Sequence, residues 1–80
     1  MNVTFELLGV LQRLCGSERI QLQVHAATVA DALEQLALAR PDLRGELERC
    51  AIASGDAIVR RRDALSPGAV LALLPPVAGG

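Results

Sequence analysis

The sequence predicts an α+β fold, a mixed sheet of four to five strands covered by one main helix. Three observations predict it. Two segments near the N-terminus alternate apolar and polar residues with a period of two. One segment in the middle carries an apolar stripe at helical spacing behind a clear start signal. Three short apolar runs, separated by Gly and Pro punctuation, complete the chain.

The elements follow in order. Val3, Phe5 and Leu7 alternate with Asn2, Thr4 and Glu6, which is the pattern of a half-buried strand, and Gly9 ends it. Val10 to Cys15 reads as a short helical turn, with Gly16 as its C-terminal stop. In the next segment Ile20, Leu22 and Val24 face one way, and Arg19, Gln21 and Gln23 the other. This second strand pairs antiparallel with the first. Thr28 then starts the helix, with Asp31 three residues on completing a capping box at the positive end of the helix dipole. Val29, Leu33, Leu36 and Ala37 form its buried stripe. Pro41 stops it, because the residue before proline is disfavoured in the α region. Leu43 to Arg49 allows a further helical turn.

Ala51-Ile52-Ala53 is a short strand, Ser54-Gly55-Asp56 a turn, and Ala57 to Arg60 the return strand. Pro67-Gly68 marks a tight turn before the last strand, Val70 to Leu74. That strand is apolar at every position, so it is expected to be central and covered on both faces. Pro75-Pro76 cannot continue a ladder and takes the chain out of the sheet. The order is β-β-α-β-β-β, with the first and last strands as the natural parallel central pair. This is the β-grasp arrangement. Residues 1–76 are expected to form the domain and residues 77–80 a flexible Gly-Gly tail.

Eighty residues make one small domain. Eight Arg, no Lys and nine acidic residues give a net charge of −1, which argues against a polyanion partner such as nucleic acid. At 51% hydrophobic residues the chain is too apolar for disorder. Its longest apolar run, Ala69 to Leu74, is far short of the roughly 20 residues needed to span a bilayer. The N-terminus has no basic region followed by an apolar block, so a cytoplasmic location is expected. Cys15 and Cys50 do not form a disulfide framework and are read as small apolar side chains. His25 follows a strand with no second ligand nearby, so no metal site is expected. Arg60-Arg61-Arg62 reads as a solvated edge that discourages sheet-to-sheet pairing. With Phe5 as the single aromatic residue and a modest core, the chain points to a carrier or subunit rather than an enzyme with a deep pocket.

The chemistry lies in the tail. No side chain from Ala64 to Gly80 carries a charge. A free α-carboxyl, with an ordinary pKa of about 3.5, is ionised at neutral pH. Gly79 and Gly80 have no Cβ, so such a tail threads a narrow channel and presents its last carbonyl unobstructed. Pro75-Pro76 stiffens its root.

Leu73-Leu74-Pro75-Pro76-Val77-Ala78-Gly79-Gly80 resembles the C-terminus of the small, sulfur-carrying subunit of molybdopterin synthase, a ubiquitin-like family. Val3 to Leu8 with the helix ending at Leu14-Cys15-Gly16 is similar to that family's opening. Thr28 to Leu33 resembles its helix start, and Leu65 to Leu71 its turn into the last strand. Leu73 and Leu74 stand where the family usually has aromatic residues, and Ala53-Ser54-Gly55 where it tends to have an Asn.

The resemblance implies a role and partners. An E1-like adenylyltransferase would use ATP to adenylate Gly80, and a sulfur-donor protein would convert it to a thiocarboxylate. The large synthase subunit would carry the active site and take the sulfur for the pyranopterin precursor. Two carriers would supply the two dithiolene sulfurs, in a heterotetramer. The carrier itself would bind no cofactor and catalyse nothing. The expected docking surface is the sheet face around Leu71 and Leu73, continuing through Pro75, Pro76, Val77, Ala78 and Gly79. Alternation equally allows Leu71 and Leu73 to be core. A sibling carrier for thiazole, cysteine or another thiolation pathway, and a ubiquitin-like binding module, stay open as alternatives.

Overall fold

The computed structural model describes residues 1–76. Strand β1 spans Asn2–Leu7, helix α1 Val10–Cys15, β2 Arg19–Gln23 and α2 Val29–Ala39. A 3-10 turn at Pro41–Leu43 runs into the single-turn helix α3, Arg44–Leu47. Strands β3 (Ala51–Ser54), β4 (Ala57–Val59) and β5 (Val70–Leu74) follow. The five strands form one sheet in the order β2-β1-β5-β3-β4. β1 and β5 pair in parallel at its centre, and the other pairs are antiparallel. This is the β-grasp fold expected from the sequence.

Local chemistry sets the elements. The capping box forms as the sequence predicts: Asp31 N–H donates to Thr28 Oγ1 at 3.3 Å, and Thr28 N–H donates to the Asp31 carboxylate at 3.3 Å. Gly16 takes the left-handed conformation (φ 70°) that ends α1, and its N–H donates to the Gln12 carbonyl. Arg40, one residue before Pro41, is the C-cap of α2. The expected turn between Leu43 and Arg49 resolves into the 3-10 turn plus α3, starting earlier because Pro at the first position of a helical turn loses no hydrogen bond.

The core lies between the sheet and the helices. Val3, Phe5 and Leu7 of β1, Leu71 and Leu73 of β5 and Ile52 of β3 meet Val29, Leu33, Leu36 and Ala37 of α2, with Ala32 joining the stripe. Leu11, Leu43 and Leu47 close its ends.

One expectation is corrected here. β5 is central but not covered on both faces. Leu71 and Leu73 are buried, whereas Val70 is exposed and Ala72 and Leu74 are half-buried. A single helical layer covers only one face of the sheet, so the alternate residues of its central strand remain open to solvent.

Candidate functional site

The open face of the sheet is divided along its middle. On β1 and β2 it presents Asn2, Thr4, Glu6, Arg19, Gln21 and Gln23, with Arg19 donating to Glu6 at 3.3 Å. On β5, β3 and β4 it presents Val70, Ala72, Leu74, Ala51, Ala53 and Ile58, and no charge. The boundary is the parallel seam, where Thr4 faces Val70 and Glu6 faces Ala72. Ile58 is 66% exposed and Val70 44%. Contiguous exposed apolar area of this kind marks an interaction surface.

Leu71 and Leu73 do not belong to this surface. They are 1% and 0% exposed and pack in the core with Phe5 and Leu7. Their side chains cannot meet a partner while the fold stands, so the expectation that they line a docking face does not hold and the core reading does; the residues of β5 on the open face are Val70, Ala72 and Leu74. The sequence reading missed these, and Ile58 with them. No local signal could have found them: every position from Val70 to Leu74 is apolar, and the register with β1, which sets Phe5 beside Leu71 and Leu7 beside Leu73, selects the buried parity.

The apolar surface runs to the point where the chain leaves the sheet. Because β1 and β5 are parallel, the β1–α1 turn and the end of β5 lie side by side, with Leu7 opposite Leu73. Leu8, Gly9, Val10 and Arg13 on one side and Leu74, Pro75 and Pro76 on the other line a groove of about 400 Å³. Leu8 is 43% exposed at its rim. Arg13 places a guanidinium there, among otherwise uncharged lining residues. Pro75 is half-buried and Pro76 exposed. Val77, Ala78, Gly79 and Gly80 lie outside the described residues, so their expected part in partner binding and chemistry is taken up below.

Other features of the domain are internally satisfied. A groove of about 200 Å³ on the helical side is flanked by Glu34, Arg44 and Arg61. Arg44 donates to both Glu34 carboxylate oxygens at 3.0 and 3.1 Å, and Arg61 donates to the Leu47 and Cys50 carbonyls at 2.7 and 3.1 Å. Arg61 therefore pins the end of α3, a role the solvated-edge reading of Arg60-Arg61-Arg62 did not contain. Burial pushes the thiols of Cys15 and Cys50 above their ordinary pKa, so neither is an activated nucleophile. Cys50 donates to the Glu46 carbonyl. His25 is exposed, its backbone carbonyl and N–H engaged by Gln35. Among the described residues no three His, Cys, Asp or Glu side chains cluster as a metal site, and no helix is long and apolar enough to cross a membrane.

A five-stranded β-grasp sheet under one helical layer, with one half of its open face apolar and leading to the diproline, is the architecture of the ubiquitin-like class of proteins. The ThiS family model matches residues 5–80, and the chain belongs to that family of ubiquitin-like sulfur carriers. Small archaeal modifier protein 1 (SAMP1) from Haloferax volcanii superposes with a TM-score of 0.88 at 28% identity, over 100% of both chains. A complex of subunits 1 and 2 of molybdopterin-converting factor from Helicobacter pylori contains a chain similar at TM-score 0.70 and 28% identity, again over 100% of both chains. The Amycolatopsis orientalis BexX/CysO complex contains a chain that shares the fold, with a TM-score of 0.75 at 22% identity over 98% of this chain and 99% of that one. No curated protein sequence matches the chain.

Proposed function

We propose that this chain is the sulfur-carrying subunit of molybdopterin synthesis, with the carboxyl group of Gly80 as its reactive group. The observation that carries the reading is the continuity of the uncharged half of the open face with the diproline exit, which directly precedes the four residues that end in Gly79-Gly80. A partner seated on that face is in place to receive the tail.

A carboxylate is a poor acyl donor because its charge repels nucleophiles and oxide is a poor leaving group. An E1-like adenylyltransferase removes both obstacles. The Gly80 carboxylate attacks the α-phosphate of Mg-ATP, expelling pyrophosphate and leaving an acyl-adenylate. The terminal sulfur of a persulfide on the sulfur-donor protein then attacks the acyl carbon, forming a C–S bond as the C–O bond to AMP breaks, and a second thiol cleaves the resulting acyl disulfide, leaving as a disulfide with the donor sulfur. The product is a thiocarboxylate. Seated in the large synthase subunit, it supplies the sulfur nucleophile to the pyranopterin precursor at high effective concentration. The carrier's residues supply docking and delivery. The apolar face around Ile58, Val70 and Leu74 holds the partner, and Pro75 and Pro76 set the tail's root. Val77 and Ala78 contact the channel, and Gly79 keeps it clear. ATP is consumed by the activating enzyme, and the carrier retains no cofactor.

The test is incubation with an E1-like adenylyltransferase, ATP and a sulfur source. The intact mass should rise by about 16 Da, oxygen having been replaced by sulfur. An unchanged mass, with an enzyme that loads another carrier, overturns the reading. The similarity to SAMP1 favours a second reading, a carrier serving a different acceptor. Sulfur transfer from the loaded chain to the pyranopterin precursor by the large subunit separates the two.

A further inference from the structure

We infer that Arg13 is a recognition residue, and that the large synthase subunit fills the groove beside the diproline with an apolar segment bearing one Asp or Glu, whose carboxylate pairs with the Arg13 guanidinium; the inference rests on the carrier function proposed above. Arg13 lies in the last turn of α1 and is exposed. It lines the groove of about 400 Å³ together with Leu8, Val10, Leu74, Pro75 and Pro76, none of which is charged. The adjoining polar groove, which shares Leu8, holds two carboxylates, and both are taken: Arg19 donates to Glu6 at 3.3 Å and Gln12 donates to Glu18 at 3.4 Å. Among the described residues Arg13 makes no ion pair and no side-chain hydrogen bond, whereas Arg19, Arg40 and Arg44 each meet a carboxylate and Arg61 meets two carbonyls. Its five N–H donors are open to an incoming group.

A cation in the last turn of a helix favours the helix dipole wherever it sits. The setting of Arg13 adds something the dipole does not need. The groove continues the uncharged half of the open face, so a partner seated there excludes water from around the guanidinium. Covering a charge without pairing it is costly, so a partner that closes this groove must bring the opposite charge. A carboxylate is the group that fits. Its two oxygens match the fork of the guanidinium, and such a pair is stronger between apolar walls than on an open surface. The rest of the segment is apolar, because the side chains of Leu8, Val10, Leu74 and the two prolines offer it no hydrogen bond. The lone cation then acts as a specificity element: a basic segment of the same shape meets repulsion, and an uncharged one leaves Arg13 covered and unpaired.

The test is binding of the full chain to the large synthase subunit, with kon and koff read by surface plasmon resonance. Arg13→Gln should raise Kd about 30-fold, mostly through koff, because truncation leaves the partner's carboxylate covered and unpaired. Arg62→Gln removes the same charge from an exposed arginine on the loop after β4 and should change Kd by less than about twofold. Both arginines are exposed, so both variants keep the fold, which circular dichroism checks. Each surface Asp and Glu of the large subunit is then changed to its amide. One of these changes should weaken binding of the wild-type chain and add less than about twofold to the loss from Arg13→Gln. An unchanged Kd for Arg13→Gln, equal losses from Arg13→Gln and Arg62→Gln, or a scan in which no carboxylate couples to Arg13 overturns the inference while the carrier reading stands. A wild-type chain that does not bind the large subunit at all defeats the molybdopterin reading, and this inference with it.

Discussion

Replacing Ile58 with alanine should weaken partner binding and leave the fold intact. Ile58 projects from β4 onto the open face opposite Ala53, with 66% of its surface exposed. Fully burying an isoleucine side chain is worth about 1.5–3 kcal/mol, so the two thirds still open in the free chain contribute about 1–2 kcal/mol when a partner covers them. Truncation should therefore raise Kd about 5- to 30-fold. The matched control is Gln21→Ala on the polar half of the same face, which should change Kd by less than about twofold. Isothermal titration calorimetry of each variant against the large synthase subunit reads both. The melting temperature of Ile58→Ala should stay close to that of the wild type, because the deleted atoms leave no buried cavity. Equal weakening by the two variants, or none by Ile58→Ala, would refute the assignment of docking to the apolar half.

Three further outcomes follow from the same structure. Leu73→Ala should destabilise the domain by about 2–5 kcal/mol, because Leu73 is fully buried. Urea denaturation measures this, and a variant with wild-type stability but impaired docking would restore Leu73 to the surface. The Cys15→Ala/Cys50→Ala variant should still take up sulfur at its terminus, and both wild-type thiols should alkylate more slowly at pH 7.5 than free glutathione, because burial opposes thiolate formation. The Arg44 hydrogen bonds hold the Glu34 carboxyl below its ordinary pKa of 4.5. A depressed carboxylate pKa stabilises the fold above the unfolded-state value, and that contribution is lost as pH falls through the folded value. Glu34→Gln should therefore flatten the acid side of the stability profile, most visibly at low salt, and a profile parallel to wild type would contradict this.

Most of the fold was legible in the sequence because its signals are local. The alternation of Val3, Phe5 and Leu7 defines β1 within six residues, and Thr28 with Asp31 defines the start of α2 within four. The docking face was not legible. Val70 to Leu74 is apolar at every position, so it has no polar residue to mark its outer side. Leu71 and Leu73 could have been taken for either face until β5 was paired with β1. Arg60, Arg61 and Arg62 are exposed, as a run of three arginines suggests, but the further contact of Arg61 was not legible, because the carbonyls it meets belong to another element, the end of α3.

The sequence by itself determined the order of strands and helices and the absence of lysine. Only the tertiary structure decided which half of the sheet is left apolar and open, and that the turn after β1 lies beside the diproline that follows β5. The physical reason is range. Propensity, capping and alternation act between neighbours a few residues apart, whereas the parallel pairing of β1 with β5 sets the burial of one strand by contact with another from the opposite end of the chain.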